Sequence, residues 1–281
     1  MASDVRVGII SDQDRHFLQA LTRAAAGALI FGLPLLMTAE MWSLGFAMSP
    51  LRLALFLALM FPILTALAYY AGFEESADWR QAALHACVAY AIAFVVSTAG
   101  LALLGVVDTN SSLAEVVGKI SLQAIPASIG AMLARSQLGL QDEERDEEQR
   151  RESYAGELFL AAMGALFMAF NVAPTEEVVR IAAMVTAWQG LALVAVSVMV
   201  IHAFVYALAF RGQHPMADGK GAWSEFLRLT APAYALTLMV CLFVLWAFGR
   251  SDGLAPGELV MQVVILAFPA AVGAAAARLI L

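Results

Sequence analysis

The sequence predicts an all-α membrane protein of about eight transmembrane helices, built as two tandem four-helix repeats in parallel orientation with both termini cytoplasmic. Three observations carry this: apolar runs too long for a soluble fold, a self-similarity that returns halfway along the chain, and a one-sided distribution of Lys and Arg. Of the 281 residues, 62% are hydrophobic and 14% charged, with a mean hydropathy of +0.79. A soluble domain would be nearer half apolar and a quarter charged, and these segments lack the polar faces that a soluble helical core needs.

The apolar runs place helices at 20–47, 51–73, 82–106, 113–135, 155–174, 178–210, 227–248 and 257–280. The fifth and sixth are the hardest to separate, since 155–210 also reads as one run cut near Trp188 and broken at Pro174. Four parts follow: an N-terminal cytoplasmic segment 1–19, a first repeat 20–140, an acidic cytoplasmic linker 141–153 and a second repeat 154–281. The linker, rich in Asp and Glu from Gln141 to Glu152, reads as a solvated helix extension or a loop. The polar N-terminus is mixed in charge, unlike the basic start of a signal peptide, so the first span is expected to be retained.

The repeat is visible residue by residue. At an offset of 137, Gly27-Ala28-Leu29 meets Gly164-Ala165-Leu166, and Tyr69 meets Tyr206. At 144, Trp79 meets Trp223, Tyr90 meets Tyr234 and Gly105 meets Gly249. At 143, Glu115, Pro126, Gly130 and Arg135 meet Glu258, Pro269, Gly273 and Arg278. Eight of fifteen positions are identical between 124–138 and 267–281. The offset changes only in loops, where insertions are tolerated. An even number of spans per copy sends both copies into the membrane in the same direction, as in parallel-repeat transporters.

Orientation follows from the basic residues. Twelve Lys and Arg fall on the side of the two termini and four (Arg52, Lys119, Arg180, Arg250) on the other, which places the termini inside. Trp42, Trp188 and Trp246 near the outer ends fit an aromatic belt.

Thr38-Ala39-Glu40 and Thr175-Glu176-Glu177 occupy equivalent places in the two copies. A carboxylate inside an apolar run is costly and marks a candidate functional site. Two readings are open. Glu40 and Glu177 are interfacial carboxylates facing water, or they line one cavity between the copies, where each raises the other's pKa and they share a proton or cation. Asn171 to Glu177 reads as a helix stop and restart around Pro174, with acidic residues complementing the new helix start. Gly32 and Pro34 loosen the first copy at a nearby point. Arg180, one turn beyond Glu177, is its expected partner; Ser43 in the first copy offers none.

Lys119 either pairs with Glu115 or turns inward as a counter-ion for Glu40 or an anion contact. Glu115 and Glu258 suit helix N-termini. Pro126 with Gly130, and Pro269 with Gly273, are expected to bend their spans and allow close packing, and serve as candidate hinges together with Pro174. His202 reads as hydrogen-bonded packing before proton relay. The four tyrosines of the repeat read equally as a polar seam or as packing bonds.

No nucleophile–base pair, metal-ligand spacing or phosphate loop appears, so no enzyme activity, catalytic residue, metal or cofactor is expected. The net charge of −7, with no basic stripe, excludes a nucleic-acid partner. Cys87 and Cys241 are not equivalent and read as small buried hydrophobes rather than a disulfide.

The stretch 164–177, with Leu33 to Trp42, resembles a family of bacterial polytopic integral membrane proteins of unknown function. That resemblance implies a bacterial inner-membrane location and names no substrate. The residues themselves point to a cation channel or a proton- or cation-coupled transporter. Its pathway would be lined by Glu40, Glu177, Thr38, Thr175, Glu176, Asn171, Arg180 and Lys119. A scaffold or sensor for cytoplasmic partners is the rival, with an anion or small-metabolite carrier between them. The lipid bilayer is the one certain partner; a homodimer is an arrangement open to such a chain.

Overall fold

A computed structural model describes residues 12–70, 79–137, 153–210 and 226–280. Regular structure among them is entirely helical. This suits lipid, where a helix satisfies its own backbone groups. In the first half, α1 (Asp12–Leu36) is followed by a short α2 (Ala39–Ala47), then α3 (Pro50–Tyr70), α4 (Trp79–Leu103) and α5 (Leu113–Gln137). In the second half, α6 (Tyr154–Val172) is followed by a short α7 (Glu177–Met184), then α8 (Ala187–Phe210), α9 (Ala231–Ala247) and α10 (Pro256–Ile280). A five-residue π-helical turn, Phe226–Thr230, leads into α9. Among the described residues, seven helices are long and apolar enough to cross a membrane, and α8 is apolar over Ala187–Ala203.

Two expected spans are divided. The run 20–47 breaks at Met37-Thr38, where Thr38 is extended at φ −104° and ψ 126°. The run 178–210 breaks at Val185-Thr186, close to the Trp188 cut. There Gln189 Oε1 accepts from the Thr186 N–H at 2.9 Å while the Gln189 N–H reaches Thr186 Oγ1 at 3.4 Å, a reciprocal cap that starts α8. At 9 and 8 residues, α2 and α7 are each only ~12–14 Å long and cannot span. Helix α1 begins at Asp12, inside the segment 1–19 expected to precede the first span. The acidic stretch 141–152 lies outside the described residues, as do Trp223 and the side chain of Tyr206; Ser153 caps α6 by accepting from the Gly156 N–H at 3.1 Å.

Helix α5 is the axis of the first half: residues 121–133 are all buried, packed by α1, α2, α3 and α4. It crosses α1 at Gly27 and Gly130, where a Cβ on either glycine would collide with the other's carbonyl oxygen. Gly164 of α6 and Gly273 of α10 cross in the same way. Small residues let these backbones touch, the expected close packing. Both α5 and α10 run through Pro126 and Pro269 as continuous helices.

The halves meet along an aromatic seam. Phe31 packs on Phe167 at 4.6 Å and Tyr70 on Phe159 at 5.2 Å. At the centre, Phe56 of α3 contacts Phe170, Phe243 and Phe248 at 5.7–5.8 Å. Leu29, Leu55, Val95, Leu191, Met199 and Met239 stay exposed around the outside, the surface a bilayer would cover.

Candidate site at the broken helices

Each Thr-x-Glu forms the turn between a long helix and a short one. The Thr38 hydroxyl donates to the Leu35 carbonyl at 2.8 Å, and its N–H reaches the same oxygen at 3.2 Å. Thr175 treats Val172 identically, at 2.7 and 3.1 Å. Helix ends leave carbonyls without partners, and an i to i−3 hydroxyl bond closes one locally.

The remaining break carbonyls are filled differently in the two halves. The Trp42 indole N–H donates to the Leu36 carbonyl at 2.8 Å. In the second half the Arg250 guanidinium, from the α9–α10 loop, donates to the Pro174 carbonyl. Asn171 turns back to the Phe167 carbonyl within its own helix at 2.8 Å and does not point at the break. Pro174 is itself buried. These breaks therefore offer fewer free carbonyls than their sequence suggests, because protein groups already occupy the Leu35, Leu36, Val172 and Pro174 oxygens.

Glu40 sits half-buried in the first turn of α2, and Glu177 is exposed in the first turn of α7. Short helix α2 packs on α5 through Gly45 and Gly118, and α7 packs on α10, so each glutamate is carried by its own half. No hydrogen bond or salt bridge joins Glu40 to Glu177 among the described residues. Far from raising it, the surroundings hold the Glu177 carboxyl below its usual range, through its own backbone N–H, then the Thr175 hydroxyl and the Arg180 charge.

Arg180 pairs with Glu176, not Glu177, at 2.9 Å. The i,i+4 spacing places the two side chains above one another on one face, which i,i+3 to Glu177 does less well here. Lys119 does not turn toward Glu40. Its ammonium is paired with Glu115 and donates to the Val106 carbonyl at 3.1 Å, which leaves the local pairing as its role. The equivalent Gln262 is buried, and its Oε1 has no protein partner. Deeper on α5, Gln123 donates to the Gly32 carbonyl at 2.8 Å and pins α1 just before its break.

One feature that the sequence did not signal ties the halves together. Arg52, in the first turn of α3, holds Asp252 of the α9–α10 loop through bonds of 2.7 and 2.9 Å and lies 5.9 Å from the Trp246 ring centroid. Since Arg250 of the same loop binds the α6–α7 break, both broken ends lie at one end of the bundle. The equivalent acid, Asp108, instead folds onto its own loop, accepting from Asn110 and Ser111.

Over residues 20–281 the chain matches a family described as "Putative integral membrane protein (DUF2391)". The chain belongs to the DUF2391 family. That match agrees with the expected polytopic membrane family of unknown function. No curated protein and no solved structure matches this DUF2391 chain. For this DUF2391 protein, an integral membrane protein with several apolar helices, the comparisons supply a class and no activity.

Proposed function

We propose that this protein is a membrane transporter or channel for cations or protons, not an enzyme, built from two parallel repeats and seated in a bacterial inner membrane with its termini in the cytoplasm. The observation that carries this reading is the pair of interrupted helices, α1–α2 and α6–α7, at corresponding positions of the chain. Matched interruptions in two halves are the best pointer to a transport site. Glu40 and Glu177, at the same end and outside the Arg180–Glu176 pair, supply acidic groups that attract cations.

Purified protein in liposomes tests it. Flux of H⁺, Na⁺, K⁺ and Ca²⁺ is measured for the wild type and for Glu40→Gln with Glu177→Gln. Loss or altered selectivity in the double variant is expected; unchanged flux through the variant, or none through the wild type, sinks the reading.

The aromatic seam favours a second reading. Phe56 and Phe170 are fully buried between the halves, which is what a scaffold with a dry centre would show. In a transporter the same cluster is the closed state of the seam.

A further inference from the structure

The two halves differ in one buried seam. In the first half the Tyr90 hydroxyl donates to the Leu57 carbonyl of α3 at 2.9 Å, a plain packing bond. Its equivalent Tyr234 is 8% exposed, and its hydroxyl is turned toward Ser197 of α8 without reaching a protein hydrogen bond. One turn earlier, at the end of the π-turn that leads into α9, Thr230 meets His202 of α8 at 2.8 Å. One turn later lies Thr237, fully buried.

At the equivalent positions the first half carries Met60 for Ser197, Ala86 for Thr230 and Ala93 for Thr237, all fully buried. Among its described residues, the hydroxyl without a protein partner is Ser97 Oγ on α4. Packing differs in the same place. Helices α3 and α4 pack extensively, whereas α8 leans on α10 and meets α9 mainly near the π-turn Phe226–Thr230. Such turns widen a helix and recur at functional sites. Ser197 and Thr237 donate to the Leu193 and Ala233 carbonyls at 2.7 and 2.9 Å, which leaves their oxygens able to accept, while the Tyr234 hydroxyl has no protein partner and is expensive in a membrane interior unless water reaches it.

The geometry points to a chain of waters in the α8–α9 seam, running past His202, Thr230, Tyr234, Ser197 and Thr237, with the matching α3–α4 seam dry. The second half alone then holds a route for water and protons. This deepens the transport reading by placing the wet path inside one half, beside the aromatic seam rather than through it.

The test is thiol accessibility in membranes, in a chain carrying Cys87→Ala and Cys241→Ala. Ser197→Cys and Thr237→Cys should react with a small cationic methanethiosulfonate on the order of tenfold faster than Met60→Cys and Ala93→Cys, because only a hydrated thiol ionises. Equal rates, or four inert cysteines, overturn the proposal. Hydrogen–deuterium exchange on the unmodified protein decides independently: residues 195–201 should exchange faster than 58–64, and equal exchange counts against it. Neither readout uses flux, so failure of the glutamate experiment leaves this result standing, and the reverse.

Discussion

Arg52 and Asp252, 200 positions apart, form a two-bonded ion pair that joins the start of α3 to the α9–α10 loop. It is a cross-link between halves at the end where both helices break. The planar guanidinium presents two donors to two carboxylate oxygens, a geometry that Lys cannot reproduce. Among the described residues no second such pair joins the halves; Gln189, which aligns with Arg52 at the offset of 137, caps α8 instead.

Breaking this pair should loosen the halves without unfolding them. Asp252 is more than half exposed, so Arg52→Ala should lower stability by only ~0–1 kcal/mol. The Arg52 bond holds the Asp252 carboxyl below its usual range. A lowered folded pKa makes the contribution present above the unfolded value of about 3.9 and lost as pH falls through the folded value. Thermal unfolding in detergent should therefore separate wild type from Arg52→Ala at pH 6 to 8 (about neutral) and show the gap closing below roughly pH 4. A gap that grows in acid would contradict the assignment.

The glycine crossings give a sharper stability prediction. Gly27→Ala and Gly164→Ala each drive a methyl into a facing carbonyl of α5 or α10, and should cost about 1–3 kcal/mol. Gly257→Ala, where a Cβ meets nothing within 4 Å, is the control and should be neutral. Comparable melting of all three variants would mean that the crossings are looser than described.

Lys119 separates a structural role from a pathway role. Paired with Glu115 and bonded to the Val106 carbonyl, it fixes the α4–α5 loop onto α5. Lys119→Met should cost about 1.5–3 kcal/mol, the range for hydrogen bonds to charged groups, and should leave ion selectivity in liposomes unchanged. A selectivity change at unaltered stability would return Lys119 to the pathway.

How much of this was legible beforehand depends on the range of the interaction. The break at Pro174 showed, because Asn171 to Glu177 contains its own stop and start. In the first copy the loosening expected at Gly32 and Pro34 falls short of the break, since α1 runs through Pro34 to Leu36 and the extended residue is Thr38; carrying the Thr175 turn back by the offset of 137 points to Thr38. Thr186-Ala187-Trp188-Gln189 also held a readable signal, a hydroxyl followed three positions later by a glutamine. Arg180 choosing Glu176 was one residue from the expectation, a matter of helix phase.

The sequence by itself determined the membrane class, the helical content and the helix stop and restart from Asn171 to Glu177. Those rest on composition and on bonds that close within four residues. Only the tertiary structure decided that Arg52 finds Asp252, that Arg250 covers Pro174 and that Tyr90 is satisfied while Tyr234 is not. Each of those depends on how far apart two helices settle when packed. Two related sequences can settle differently once one half has Met60, Ala86 and Ala93 where the other has Ser197, Thr230 and Thr237.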